Sequence, residues 1–255
     1  MPTFSIVAQT GSTNSDLLAN AIGGAAVSEG HWHIALSQDA GRGRQGRVWI
    51  SEIGNFHGST VVVDRTDDPP PATLALVVAI ALYDALAPMI PAHASIPVGI
   101  KWPNDVMVGS AKIAGILLER SHGITVVGVG VNLAFAPKQV DRDTVALSDF
   151  GARHTPDSFA PILAEQFAGE LAAWRNTGLA DVLARWDQRA IPRGTALTVT
   201  NGLNAGLTGR FDGLDRAGNL RLRYADGAVV TISSGEVLMD RDFSQRGGAS
   251  DAVGD

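Results

Sequence analysis

Ten consecutive apolar residues, LALVVAIALY at 74–83, limit what this chain can become. The run is shorter than the roughly 20 residues a helix needs to span a bilayer, and Pro88 closes it. It predicts a buried helix over 72–87, which needs a core large enough to cover it. The chain can supply that core. Of its 255 residues 45 % are apolar, enough for one large domain or one domain plus a small one.

Around this helix the pattern alternates between short helices and strands. NSDLLANAI (14–22) predicts a helix that Ser12, Thr13 or Asn14 can cap and Gly23-Gly24 ends. HWHIALS (31–37) and HGSTVVVD (57–64) predict strands. In DVMV-GS-AKIAGILLE (105–119) two extended runs flank Gly109-Ser110, which suits a type II′ hairpin. ITVVGVGVNL (124–133) predicts the next strand, and 157–189 two helices with Phe159, Ile162, Leu163, Phe167, Leu171 and Trp174 at helical spacing. Helices on a mixed or antiparallel sheet define an α+β main domain over 1–192. After Pro192-Arg193-Gly194 come short alternating strands with Asn-Gly and Asp-Gly turns, which predict a small β-barrel over 193–240. The polar tail 241–255 is expected to be disordered.

Several function classes are excluded. With no cysteine there is no disulfide, thiolate metal site or cysteine nucleophile, a composition that fits the cytoplasm. MPTFSIVAQTGSTNSD has no basic segment leading into an apolar one, so no secretory signal or membrane association is expected. A net charge of -6 argues against broad nucleic-acid binding. The six histidines show no H-E-x-x-H spacing, and no structural metal site is expected. His31 and His33 would share one strand face as surface residues.

Against that acidic background QDAGRGRQGRVW (38–49) places Arg42, Arg44 and Arg47 between Gly41, Gly43 and Gly46. GRGRQG is formally G-x-G-x-x-G, but a dinucleotide site needs a helix to begin there. Arg-Val-Trp-Ile-Ser follows and predicts a strand instead. A solvated surface loop is the plain alternative. Glycines admit close backbone approach and guanidinium groups grip phosphates, so the better reading is a mobile cationic loop that orders over a polyphosphate.

The second unusual run is KWPNDVMVGSAKIAGILLE (101–119). Trp102-Pro103-Asn104-Asp105 predicts a turn. Strict alternation would put Lys112, Ala114, Ile116 and Leu118 on one strand face and Ile113, Gly115 and Leu117 on the other. Lys112 suits either a solvated strand end or a ligand site. Gly115 interrupts the strand, a frequent mark of close ligand approach.

GSTNSD, QDAGRGRQGRVW, KWPND and KIAGILLE, followed by VGVGVNL, resemble the biotin protein ligase family in order and approximate separation over about residues 4–240. The resemblance implies the biotin/lipoate ligase-like α+β fold with a small C-terminal SH3-like barrel. It implies a biotin–[biotin carboxyl-carrier protein] ligase that makes biotinyl-5′-AMP and pyrophosphate from biotin and MgATP, then acylates one lysine of a carboxylase's biotin carrier domain. Ser12, Thr13 and Asn14 match the family's S-T-N segment at the ureido ring, and Gln38 the glutamine beside it. Gly41, Arg42, Gly43 and Arg44 match the adenylate loop. Lys112 matches the lysine at the biotin carboxylate and α-phosphate, and Gly115 the glycine against the biotin pocket. Asn104 and Asn132 fall near the nucleotide, and Trp49 matches a wall of the ligand site. Arg42, Arg44 and Lys112 would carry catalysis.

Two departures qualify the likeness. Only 11 residues precede Ser12, too few for the winged helix-turn-helix of the repressor members, so operator DNA is not an expected partner. Phe56-His57-Gly58 stands where the family has a Leu-Tyr-containing pattern, which alters the pocket floor. A homodimer is compatible with the family. A lipoate ligase or octanoyltransferase on a related fold, and a module that senses biotin without transferring it, are the competing readings.

The chemistry agrees with the likeness. A carboxylate with a reference pKa near 4 is already ionised, so adenylation needs charge neutralisation rather than a base. An attacking lysine, with a reference pKa near 10.4, must lose a proton, and Asp105 could orient or accept it, or could simply cap its turn.

Overall fold

The computed structural model describes residues 1–25, 27–94, 96–138 and 143–239. The tail expected to be disordered, 241–255, lies outside the described residues. The chain divides into two compact units, Met1–Ala190 and Ile191 onward.

In the first unit seven strands form one mixed sheet. In chain order they are β1 (Thr3–Thr10), β2 (His31–Gln38), β3 (Phe56–Val63), β4 (Val98–Lys101), β5 (Asp105–Val108), β6 (Ala111–Ser121) and β7 (Ile124–Val131). They lie side by side in the order β1-β2-β3-β7-β6-β5-β4. β1 and β2 are parallel and every other pair is antiparallel. Helix α1 (Thr13–Ile22) is the crossover between the parallel pair. It seats Leu17 against Val61, Ile124 and Val126. Two hairpins have tight two-residue turns. Gly109 takes φ 59° while Ser110 keeps a negative φ, as type II′ requires. Between β6 and β7, His122 and Gly123 both take positive φ, 49° and 76°, the type I′ pattern.

Helices α2 (Leu74–Leu86), α3 (Pro156–Thr177) and α4 (Leu179–Arg189) pack together and against the sheet. With flanking 3₁₀ turns the helical stretch Pro71–Met89 reaches 19 residues, long and apolar enough by composition to cross a bilayer. The expectation that it was too short thus fails on length. Its surroundings give the same answer, since Val77–Leu82 are fully buried inside the protein. α3 supplies Phe159, Leu163, Phe167 and Trp174 to that core. Phe159 and Phe167 meet Phe56 and Trp32 edge-on. α3 starts at Thr155, whose Oγ1 accepts from Ser158 N while Ser158 Oγ accepts from Thr155 N.

The second unit is a five-stranded antiparallel sheet in the order β11-β10-β9-β8-β12. Its strands are β8 (Ala196–Val199), β9 (Thr208–Leu214), β10 (Leu220–Arg223), β11 (Val229–Ile232) and β12 (Val237–Met239). Leu197, Phe211, Leu220, Leu222 and Ile232 fill its core. The α+β class and the small C-terminal β domain stand as expected. Strands β1 and β4 were not foreseen. The strand expected at 47–51 is absent: only Val48 bridges, to Arg42.

One ion-pair cluster ties α3 to two loops. Arg175 on α3 donates to Glu29 Oε1 at 2.6 Å, to Asp68 Oδ1 at 3.1 Å and to Val63 O at 3.0 Å. Burial pushes the Glu29 carboxyl up, but the Arg175 hydrogen bonds, the Val63 amide and the nearby cations outweigh it and hold it below its ordinary value. A lowered folded-state pKa gives stability that is present above the unfolded value of 4.5 and is lost as pH falls through the folded value. Arg175→Ala leaves Asp68 nearly buried without this cation, and should cost about 2–3 kcal/mol at pH 7 in urea unfolding. The difference between wild type and variant should shrink as pH drops below 4.5; a difference independent of pH would contradict the assignment.

Candidate active site

One face of the large sheet forms a floor. The register sets Asp105, Gly115, Gly130, His57 and Ala35 in a row across β5, β6, β7, β3 and β2. Two residues along, Leu117, Gly128, Ser59 and His33 make a second row. Alternation turns these side chains away from Trp32 and Phe56, which face α3. The alternate glycines of GVG leave β7 bare on this face. A Cβ at Gly128 would collide with the Asn14 amide, and one at Gly130 with the Trp49 indole.

At one end lies a cationic cluster. Asp105 Oδ2 pairs with Lys101 Nζ at 2.9 Å and Asp105 Oδ1 with Lys112 Nζ at 2.5 Å. All three side chains are largely buried. Two ammonium groups on one carboxylate leave a net positive charge. Burial pushes the Asp105 carboxyl up, but the two adjacent ammonium groups outweigh it and hold it well below the usual carboxylate range. Lys112 does not lie opposite Gly115 as strict alternation predicts. The β5–β6 register shifts between Val106↔Ala114 and Met107↔Lys112, so Ile113 is an extra, bulged residue. That bulge re-aims Lys112 onto the Gly115 face. A Cβ built on Gly115 would lie 2.8 Å from Lys112 Nζ and 3.1 Å from Trp49 Cζ3.

At the other end a chain of uncharged groups is mutually bonded. Gln38 Oε1 accepts from Thr13 N at 2.9 Å and from Thr13 Oγ1 at 3.2 Å. Thr13 Oγ1 and Ser59 Oγ share a 2.7 Å bond, and Ser59 Oγ donates to Asn14 Oδ1 at 2.6 Å. Asn14 Nδ2 donates to Glu119 Oε2 at 2.8 Å, and Gln38 Nε2 to Ser51 Oγ at 3.0 Å. Ser12 is buried at the α1 N-cap, where its carbonyl accepts from Asp16 N.

The arginine segment is a compact hairpin. Trp49 N donates to Gly41 O at 2.9 Å and Gly43 N to Arg47 O at 2.7 Å. Arg44–Gly46 is a single 3₁₀ turn, with Gln45 at φ 57° and Gly46 at φ 73°. Gly41 has no room for a Cβ, which would fall 2.7 Å from Ser51 Oγ. Arg42 donates to Ser15 Oγ at 3.0 Å and to Glu119 Oε1 at 3.0 Å, so its bonds run to the Asn14 end. Trp49 spans the floor, with Lys112 Nζ 5.4 Å from its ring centroid.

Asn104 and Asn132 hold backbone. Asn104 Nδ2 donates to Ile116 O at 2.7 Å, and Asn132 Nδ2 to Val145 O at 3.2 Å and Lys112 O at 3.4 Å. Sequence reasoning passed over Lys101, Ser59, Ser51 and Glu119, and noticed His57 only as a departure from the family pattern. The period-2 step from His57 to Ser59 along β3 was the available signal. His57 is buried. Its Nδ1 accepts from Trp49 Nε1–H at 3.3 Å and its Nε2–H donates to Glu52 O at 3.3 Å. Burial pushes its pKa down to about 4, only partly opposed by the Glu52 carbonyl, so the ring is neutral near pH 7. His31 and His33 are partly exposed on one strand face and bond to neighbouring side chains. His31 Nε2 and His33 Nδ1 both contact Ser5 Oγ at 3.0 Å, and His33 Nε2 contacts Asp16 Oδ2 at 3.0 Å.

A bare floor thus lies between a buried cationic cluster and a neutral polar chain, on a fold that known proteins share. The profile of the biotin/lipoate A/B protein ligase family matches residues 6–135, and that of the biotin protein ligase C-terminal domain matches 198–240. The chain belongs to that family, on its biotin protein ligase branch. It is 37 % identical over 237 residues to a biotin–[acetyl-CoA-carboxylase] ligase of Mycobacterium tuberculosis, covering 91 % of this chain and 87 % of that one. It is also 37 % identical over 244 residues to the enzyme of that description from Paracoccus denitrificans, covering 91 % and 99 %. The biotin protein ligase of Aquifex aeolicus in complex with biotin and ATP shares the fold. Its TM-score is 0.80 at 23 % identity, with 94 % of this chain and 100 % of that one covered.

Gly130→Ala tests the floor. The added methyl collides with the indole, an overpacking cost of about 1–3 kcal/mol that the hairpin can relieve by moving. Trypsin should then cut after Arg44 and Arg47 several-fold faster, with global unfolding little changed. Unaltered cleavage would show that the floor tolerates the methyl.

Proposed function

We propose that this protein activates biotin with MgATP to biotinyl-5′-AMP and then transfers the biotinyl group to one lysine of a biotin carrier domain of a carboxylase. The observation that carries the reading is the buried Lys101–Asp105–Lys112 cluster with its excess positive charge beside the bare glycine floor. In the first step a biotin carboxylate oxygen bonds to the α-phosphorus and pyrophosphate leaves. Both reactants are anions, and Lys112 is held ready by Asp105 to neutralise them without reorganising. Arg44 and, once released from Glu119, Arg42 would add charge over the phosphates. Magnesium enters as part of the MgATP substrate. The uncharged ureido ring suits Ser12, Thr13, Asn14 and Gln38, whose hydrogen-bonding groups are neutral. Trp49, Asn104 and Asn132 would border the nucleotide.

In the second step the carrier lysine's amine attacks the acyl carbon, AMP leaves, and the amine's proton must depart. Asp105 suits positioning rather than proton removal. Its carboxylate is held ionised by two cations, which makes it a weak base.

Lys112→Ala should lower biotin-dependent pyrophosphate release about a hundredfold, the usual loss for one preorganised charge donor. Biotin alone should still bind measurably by calorimetry. Replacing biotin with lipoate in the wild-type assay separates the two branches of the family. Faster pyrophosphate release with lipoate would overturn the biotin assignment, and wild-type kinetics in Lys112→Ala would overturn the role of the lysine.

A further inference from the structure

We propose that His57 is a positioning residue for Trp49, fixing the indole against the Gly115–Gly130 floor and, through it, the nucleotide half of the site. The proposal rests on the reading above that Trp49 walls the nucleotide.

The geometry defines one tautomer. Nε2–H of His57 is committed to Glu52 O, so Nδ1 is left as an acceptor for the Trp49 indole N–H. The Trp49 main chain is already fixed through its bond to Gly41 O, but that bond leaves the indole free to rotate about its side-chain torsions. His57 restricts that freedom, because turning the indole away gives up its N–H bond to His57 Nδ1. Below the ring Gly115 and Gly130 offer only backbone, and Lys112 stands over its face. The indole is therefore held at its edge by an acceptor and at its face by contact alone. An apolar side chain at position 57 would keep the packing and lose the orientation. His57 also belongs to the floor by register, paired with Gly130 across β3 and β7. Its own polarity is satisfied within the protein, so it acts through Trp49.

The ligand-free protein supplies the first test. In a ¹⁵N-labelled sample the Trp49 indole N–H, identified by its loss in Trp49→Phe, should exchange at least tenfold more slowly than in His57→Leu. His57→Asn retains a carbonyl acceptor and should restore most of the protection. The second test is kinetic, with pyrophosphate release measured at saturating biotin. His57→Leu should raise KM for ATP at least tenfold and leave KM for biotin within about twofold. In a Trp49→Phe background the same substitution should change neither. An unprotected Trp49 N–H in the wild type, or equal effects of His57→Leu in both backgrounds, would overturn the proposal. Should His57→Leu not fold, wild-type exchange and its retention in His57→Asn still decide. A wild-type protein that releases no pyrophosphate overturns the ligase reading instead, while the exchange result continues to judge His57.

Discussion

One extra residue in β6 decides where the site's cation goes. Without the bulge at Ile113, Lys112 would emerge on the core side of the sheet, among Ile116, Ala114 and the helices. With it, the ammonium comes over Gly115 and meets Asp105 on the neighbouring strand. Two charges of one sign then share a single buried counter-charge, an arrangement that favours the arrival of an anion. The neighbouring features conform to that placement. Gly115 is bare because Lys112 and Trp49 occupy its side-chain space, and Asp105 is held by a turn that Asn104 clips to Ile116.

The sheet separates two kinds of environment. Its α3 face is filled by aromatic and aliphatic contacts that carry no chemistry. Its other face carries Gly115, Gly128 and Gly130 on the two central strands, so that there the backbone itself is the surface. α1 closes that face at one end by anchoring Leu17 in a small apolar cluster. The anchor brings Thr13 and Asn14 over the second row. The long-range pairing of β3 with β7, from Phe56↔Val131 to Val63↔Ile124, joins segments distant in the chain and completes the floor.

Much of this was legible because periodicity and turn chemistry agreed. α1, α2, the two hairpin strands β5 and β6, the α3–α4 pair and the C-terminal strands each carry a pattern that one kind of element alone satisfies. β1 escaped because it is an edge strand with most side chains exposed, and a partly polar TFSIVAQT has no buried face to alternate with. β4 has only four residues. The face of Lys112 was misjudged because a bulge leaves no trace in a period-2 count. Arg42 and Lys112 were singled out by residue type, and Thr13, Asn14 and Gln38 by the family resemblance, but neither could show that Arg42 turns toward Glu119. His57 drew notice only as a departure from a family pattern. Its two hydrogen bonds depend on Trp49 and Glu52, which local sequence does not place.

The I′ turn at His122-Gly123 carries a consequence for how this gene can change. From that turn the β6–β7 ladder runs without interruption from Ser121↔Ile124 to Ala114↔Val131. The opposition of Gly115 to Gly130 is therefore counted off from the turn, rung by rung. Inserting or deleting a single residue within either strand would reverse the facing of everything beyond it. Glycine would then face the helices and valine the floor. Away from Gly115, Gly128 and Gly130, substitutions can drift along this hairpin, but its length cannot.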